Sequence, residues 1–173
     1  MSYYNPLLNQ GLPELARKAS DAGLDGILAS DLTVEESRPF VDAMSEASLN
    51  SVFLVAPTSS TERIKKIART TTGFLYAVSR TGVTGTTNEL SDELGGFVRY
   101  LRQQTDCPIA VGFGISGPEH VRAVWEEADA AVVGSAVVHR IEKRLGQTDM
   151  AASVGELIRW MRGPQLEVEA ERP

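Results

Sequence analysis

The sequence predicts an α/β fold built from parallel β/α units. Helical and strand-like patterns alternate along the chain, and each strand-like segment is apolar almost throughout, as expected where helices cover both faces of a parallel sheet. Five such strands are legible in 173 residues, whereas a complete (β/α)8 barrel takes about 250. The pattern fits either roughly five units of a barrel or a complete small open sheet.

Each element has its own signal. Leu12, Leu15, Ala16, Ala19 and Ala22 recur at helical spacing, and Gly23 ends that helix. Leu24 to Ala29 is a buried strand. Thr33-Val34-Glu35-Glu36 has the form of a capping box, with a helix running to about Ala47. Ser51 to Ala56 is the next strand. Ser59-Ser60-Thr61-Glu62 is a second capping box, opening a helix that turns Ile64, Ile67 and Ala68 inward. Gly73 to Ser79 is a strand, followed by a Gly/Thr-rich loop from Arg80 to about Glu89. Leu90, Leu94, Phe97, Val98 and Leu101 mark a helix, and Pro108 to Val111 a strand. Ser116-Gly117-Pro118-Glu119 is a third capping box, for a helix carrying Val121, Val124 and Trp125. Ala130 to Val133 is the last strand. A helical stretch follows Gly134-Ser135, and a final helix carries Val154, Leu157, Ile158 and Met161. The expected domain is 1–162. The polar, acidic segment 163–173 is expected to be a disordered tail.

Composition narrows the function. The formal net charge is −6 and no cluster of basic residues forms a nucleic-acid face; Arg63, Lys65, Lys66 and Arg69 read as the wet side of a helix. The longest apolar runs fall far short of the roughly 20 residues that span a bilayer. Met1 to Pro6 lacks the basic and apolar regions of a signal peptide. The single cysteine, Cys107, excludes an internal disulfide and leads us to expect a cytoplasmic location. There is no Cys/His cluster at metal-ligand spacing, so no metal is expected.

In α/β folds the chemistry sits at the carboxyl ends of the strands. Those positions here hold Asn5, Asp31, Pro57, Arg80, Gly112-Phe113-Gly114 and Gly134-Ser135. Glycines there let a ligand approach the backbone, and the stretch from Ser135 predicts a short helix whose first amides bind phosphate without Lys or Arg. The plain alternative is that the glycines only make turns; two pairs on adjacent strands favour the ligand. Asp31 fits either a site carboxylate or a turn aspartate bonded to nearby amides. Tyr3, Tyr4 and Tyr76 are candidates for the wall of an aromatic site, with core packing as the plainer reading. His120 and His139 lie on helices, away from strand ends, and read as surface or boundary residues rather than catalytic ones. Trp125 and Trp160 read as packing.

Three segments together resemble the α subunit of tryptophan synthase: Tyr3-Tyr4-Asn5-Pro6, Leu75-Tyr76-Ala77-Val78-Ser79-Arg80-Thr81-Gly82-Val83-Thr84-Gly85, and Gly112-Phe113-Gly114-Ile115-Ser116. Asp31-Leu32-Thr33-Val34-Glu35-Glu36-Ser37 and Gly134-Ser135-Ala136 agree in order and spacing, so the likeness runs from Tyr3 to about Met161. The Ser-Arg-Thr-Gly-Val-Thr-Gly loop is its most specific part.

The resemblance implies a TIM-type (β/α)8 barrel, incomplete here at about five to six of eight units. It implies a lyase of aromatic amino-acid biosynthesis that cleaves indole-3-glycerol phosphate to indole and glyceraldehyde 3-phosphate by a retro-aldol step. Indole then passes to a β subunit that holds pyridoxal phosphate; no cofactor is implied in this chain. By the same resemblance, Gly85, Gly114, Gly134 and Ser135 hold the phosphate, and Tyr3, Tyr76, Thr84 and Phe113 line the substrate pocket. Arg80, Thr81 and Gly82 belong to a lid, and Asp31 lies in the region facing the β subunit. The family's first two strands, with its acid/base glutamate and a second essential aspartate, have no counterpart here. The expectation is an alpha-type chain inactive alone. The alternatives are a non-catalytic remnant that binds phosphate or β subunit, one half of a split enzyme, and another phosphate-binding barrel enzyme, against which the loop argues.

Overall fold

A computed structural model describes residues 1–78, 87–112 and 114–163, without the side chains of 87–93. In chain order it contains α1 (Tyr4–Leu8), α2 (Leu12–Asp21), β1 (Gly26–Leu28), α3 (Arg38–Glu46), β2 (Asn50–Val52) and β3 (Leu54–Val55). Then come α4 (Thr61–Thr70), β4 (Leu75–Val78), α5 (Thr87–Arg102), β5 (Ile109–Gly112), α6 (Pro118–Glu127), β6 (Ala130–Val132), α7 (Ser135–Glu142) and α8 (Met150–Arg162). All strand pairings are parallel. β1 pairs with β2, and the second sheet runs β3-β4-β5-β6.

The strand read as Ser51 to Ala56 is therefore two short pieces. They meet at Phe53, whose carbonyl still accepts from the Tyr76 amide at 3.1 Å. The first piece pairs backwards to β1 and the second forwards to β4, so the strands make one bent arc, which does not close into a barrel among the described residues. Phe40 packs at this bend, with its ring edge-on to Tyr4 and Phe53 at 6.2 and 6.4 Å. Such pairs contribute about 0.5–1.5 kcal/mol each beyond area burial.

The two faces of the second sheet differ. Leu54, Tyr76, Ala110 and Ala130 form one row of register partners, and Val55, Ala77, Val111 and Ala131 the alternate row. Val55, Ala77 and Val111 are at most 1% exposed. They join Ile64, Ile67, Val98, Leu101, Val121 and Val124 of the helices in the core. In the other row Leu54 and Tyr76 are half-buried and Ala130 is exposed, while Ala110 is 3% exposed. The core thus lies between sheet and helices, and the opposite face is open only in part.

Local chemistry sets several boundaries. Gly23 ends α2 as the sequence predicts, at φ 78°. The Leu24 amide reaches back to the Ala19 carbonyl at 3.0 Å and the Gly23 amide to Ser20 at 2.9 Å, which is a Schellman stop. The capping boxes fare less well. Helix α3 starts at Arg38 after Ser37, with Pro39 in its first turn and no side-chain cap. Thr33 and Glu36 instead pair side chain to side chain at 3.5 Å within a turn, so neither is left to cap an amide. The α4 cap is Ser60, one residue later than predicted, accepting from the Arg63 amide at 3.4 Å. Ser59 accepts from the Ala56 amide. Helix α6 begins at Pro118 behind Gly117, because Ser116 is engaged by His120 Nδ1 at 3.3 Å.

The ends of the arc also depart from expectation. Tyr4-Asn5-Pro6 is helical, so Asn5 is not at a strand end. Ser2 bridges to Ala29, with its amide on Leu28 and its carbonyl accepting from Ser30. The outer edge of β1 is therefore partly paired. The edge of β6 has no strand beside it among the described residues. Helix α8 buries Ser153, Leu157 and Met161, while Ile158 is 36% and Trp160 57% exposed; neither is the packing residue the periodicity suggested. The last strand is pinned by a residue outside any motif. Asp129 accepts from the Ile109 amide at 2.8 Å and from Arg102 at 3.0 Å.

Candidate functional site

A cavity of about 660 Å³ opens at the carboxyl ends of β4, β5 and β6. Tyr76 enters it from β4, Gly114 from the turn after β5, and Gly134 and Ser135 from the turn that starts α7. Leu157 and Trp160 of α8 close one side. Four residues singled out from the sequence thus surround one space.

Backbone geometry explains the glycines. Gly114 sits at φ 71°, in the left-handed region where side chains are strained. A Cβ on Gly134 meets nothing within 4 Å, so its missing side chain leaves open cavity beside the first amides of α7. Gly112 serves Tyr76: a Cβ there runs into the Tyr76 hydroxyl and ring. The Tyr76 ring lies along the sheet because the residue two rows on has no side chain. Burial holds its phenol above the usual tyrosine range, so Tyr76 enters the cavity neutral, a donor rather than a base at neutral pH.

Electrostatically the cavity is positive, although the chain is acidic. His139, Arg140 and Lys143 line it, and no Asp or Glu does among the described residues. His139 Nδ1 stands 3.5 Å from Glu142. Arg140 donates from Nη1 to the Ser153 hydroxyl at 3.0 Å, and Ser153 is only 4% exposed. Sequence reasoning set His139 aside and passed over Arg140 and Lys143. The usable signal was their spacing from Ser135 and Ala136, which puts 136, 139, 140 and 143 along one side of a helix.

Other predicted residues lie elsewhere. Tyr3 is 68% exposed and does not line the cavity. Asp31 takes the Tyr4 amide at 2.6 Å, and so anchors the start of α1 as a turn aspartate does. Arg80, Thr81, Gly82, Thr84, Gly85, Phe113 and the segment 164–173 fall outside the described residues. A second cavity, about 550 Å³, lies beside the bend of the arc, lined by Thr33, Phe53, Leu54, Ser60 and Arg63 among others. No group of three metal-ligating side chains occurs among the described residues, and none of their helices is long and apolar enough to cross a membrane.

A sequence model of the family described as tryptophan synthase alpha chain matches residues 1–162. The chain is 49% identical over 142 residues to the tryptophan synthase alpha chain of Solibacter usitatus, covering 82% of this chain and 53% of that protein. It is 43% identical over 163 residues to the one of Roseiflexus castenholzii, covering 94% and 62%. It is also similar to a chain of the tryptophan synthase a2b2 complex from Pyrococcus furiosus. There the TM-score is 0.80 at 35% identity, covering 92% of this chain and 64% of that one. The chain spans between half and two thirds of the length of these relatives.

Proposed function

The chain belongs to the tryptophan synthase alpha-chain family, and from that premise we propose that its cavity is the phosphate-holding part of an indole-3-glycerol-phosphate lyase site, which binds ligand without turning it over unaided. One observation carries this: Tyr76, Gly114, Gly134 and Ser135 line one cavity that has cations but no carboxylate among its described residues. Amides at the start of α7 and the bare backbone at Gly114 and Gly134 suit a phosphate monoester. Tyr76, Leu157 and Trp160 suit its apolar body.

Retro-aldol cleavage breaks a carbon–carbon bond. It needs a proton delivered to indole C3 and one removed from the side-chain hydroxyl. Tyr76 is neutral and a poor base, and the described lining offers no carboxylate. Thr84, Gly85 and Phe113 are proposed to complete the pocket, with Arg80, Thr81 and Gly82 in its lid. Tyr3 keeps a substrate role only by family likeness. The partner proposed is a tryptophan synthase β subunit, which would carry the pyridoxal phosphate, with Asp31 on the side facing it; the location proposed is the cytoplasm.

Calorimetric titration with inorganic phosphate and indole-3-glycerol phosphate, together with an indole-release assay, tests this. The expected result is competitive binding with no indole above background. Family-like turnover would overturn the inactivity, and failure of both ligands to bind would overturn the site. A second reading, half of a split enzyme, is favoured by the free edge of β6. Indole release that appears only when a polypeptide carrying two further β/α units is added would establish it.

A further inference from the structure

The cavity carries more positive charge than one phosphate cradle uses. Gly134 and Ser135 sit at the start of α7, and Arg140 lies five residues along, about 7.5 Å at 1.5 Å per residue. Lys143 lies one turn beyond. Neither Arg140 nor Lys143 has a carboxylate within 4.0 Å among the described residues, whereas their neighbour Arg144 is paired to Asp149 at 2.8 Å. Arg140 is also held in place. One of its five N–H donors goes to the buried Ser153 hydroxyl at 3.0 Å, and Arg140 is among the residues that line the cavity. A cation fixed by a buried hydroxyl and left without a counter-charge is set up to receive an anion from the cavity.

We propose that Arg140, with Lys143, forms a second anion-binding end of this cavity, so that its preferred ligands are aryl phosphates that also carry a carboxylate on the ring, away from the phosphate. This rests on the phosphate reading above and adds to it the chemistry of the far end. Tyr76, Leu157 and Trp160 lie around the same space and favour a flat apolar spacer. Arg140 presents two N–H groups in one plane, which suits a carboxylate.

The test compares phenyl phosphate with 4-(phosphonooxy)benzoate by calorimetry on the whole chain. The carboxylated probe is expected to bind about tenfold more tightly, the effect of one charge-assisted hydrogen bond. In Arg140→Gln the ratio of the two affinities should fall towards one, and Arg140→Lys should restore part of it. Lys143→Gln, at an exposed position, should lower the ratio without touching Ser153. Gly134→Val should weaken both probes together. Equal affinity of the unaltered chain for the two probes, or a ratio unmoved by Arg140→Gln and Lys143→Gln, overturns the second end while leaving the phosphate site standing. If phenyl phosphate fails to bind at all, the phosphate reading falls and this inference with it.

Discussion

Gly134→Val separates a ligand-binding glycine from a structural one. Gly134 has φ −108° and ψ −75°, angles open to residues with side chains, and a Cβ there meets no atom within 4 Å. Folding should therefore lose little, and the stiffer unfolded chain offsets part of any loss, since a tolerated Gly replacement stabilises by about 0.4–1 kcal/mol. The valine methyls would enter the cavity beside the amides of α7. Displacing a phosphate from one charge-assisted amide bond costs about 1.5–3 kcal/mol, roughly a 10- to 150-fold loss of affinity. Gly112→Ala is the contrast. Its new methyl meets the Tyr76 side chain, so the ring must move and fold and pocket suffer together. Phosphate affinity by calorimetry and a thermal melt on both variants decide the matter. For Gly134→Val we expect the affinity loss with Tm within about 3 °C of the parent, less than 1–2 kcal/mol in a chain of this size. Undiminished phosphate binding would refute the assignment, and a Tm that collapses with the affinity would show the glycine to be structural.

Three further outcomes follow from the geometry. The Asp129 carboxyl is held below its usual range, first by the Ile109 amide and then by Arg102. A depressed pKa gives stability that is present above the unfolded-state value near 4 and is lost as pH falls through the folded-state value. Asp129→Asn should therefore lower Tm at pH 7 and flatten the acid limb of a Tm-against-pH curve; an unchanged limb would exclude the role. The Thr71 hydroxyl is buried without a partner among the described residues, so Thr71→Val should raise stability by about 1 kcal/mol in urea unfolding, and a loss would mean the hydroxyl is satisfied. Val138 of α7 and Leu145 just after it are 64% and 71% exposed. Sedimentation velocity should show concentration-dependent association that Leu145→Lys reduces; a sharp monomer at all concentrations would refute it.

Most elements were legible because each depends on local periodicity. The apolar runs around Ile27, Val78, Val111 and Val132 are strands, and Gly23 stops a helix by a bond pattern that needs only six consecutive residues. Gly114, Gly134 and Ser135 were also legible, as glycines and a helix start at two neighbouring strand ends. Helix starts were less so. Thr33, Ser59 and Ser116 all offer cap chemistry, but each hydroxyl or its neighbour found another partner, and that choice is made by the packed chain.

The sequence by itself determined the order of the β/α units, the parallel pairing they require and the backbone-rich phosphate candidate. Tertiary structure alone decided which row of β3 and β4 is sealed. Strands apolar on both faces carry no alternation to mark the side that helices seal. It also decided that Phe53 bends one predicted strand into two, that Ser2 covers the edge of β1 and that Trp160 lies outside the core. Finally, it turned Arg140 and Lys143 towards the cavity. On a helix read alone they belong to a solvated face, and only the docking of α7 on α8, with Ser153 holding Arg140, gives that face a concave space to look into.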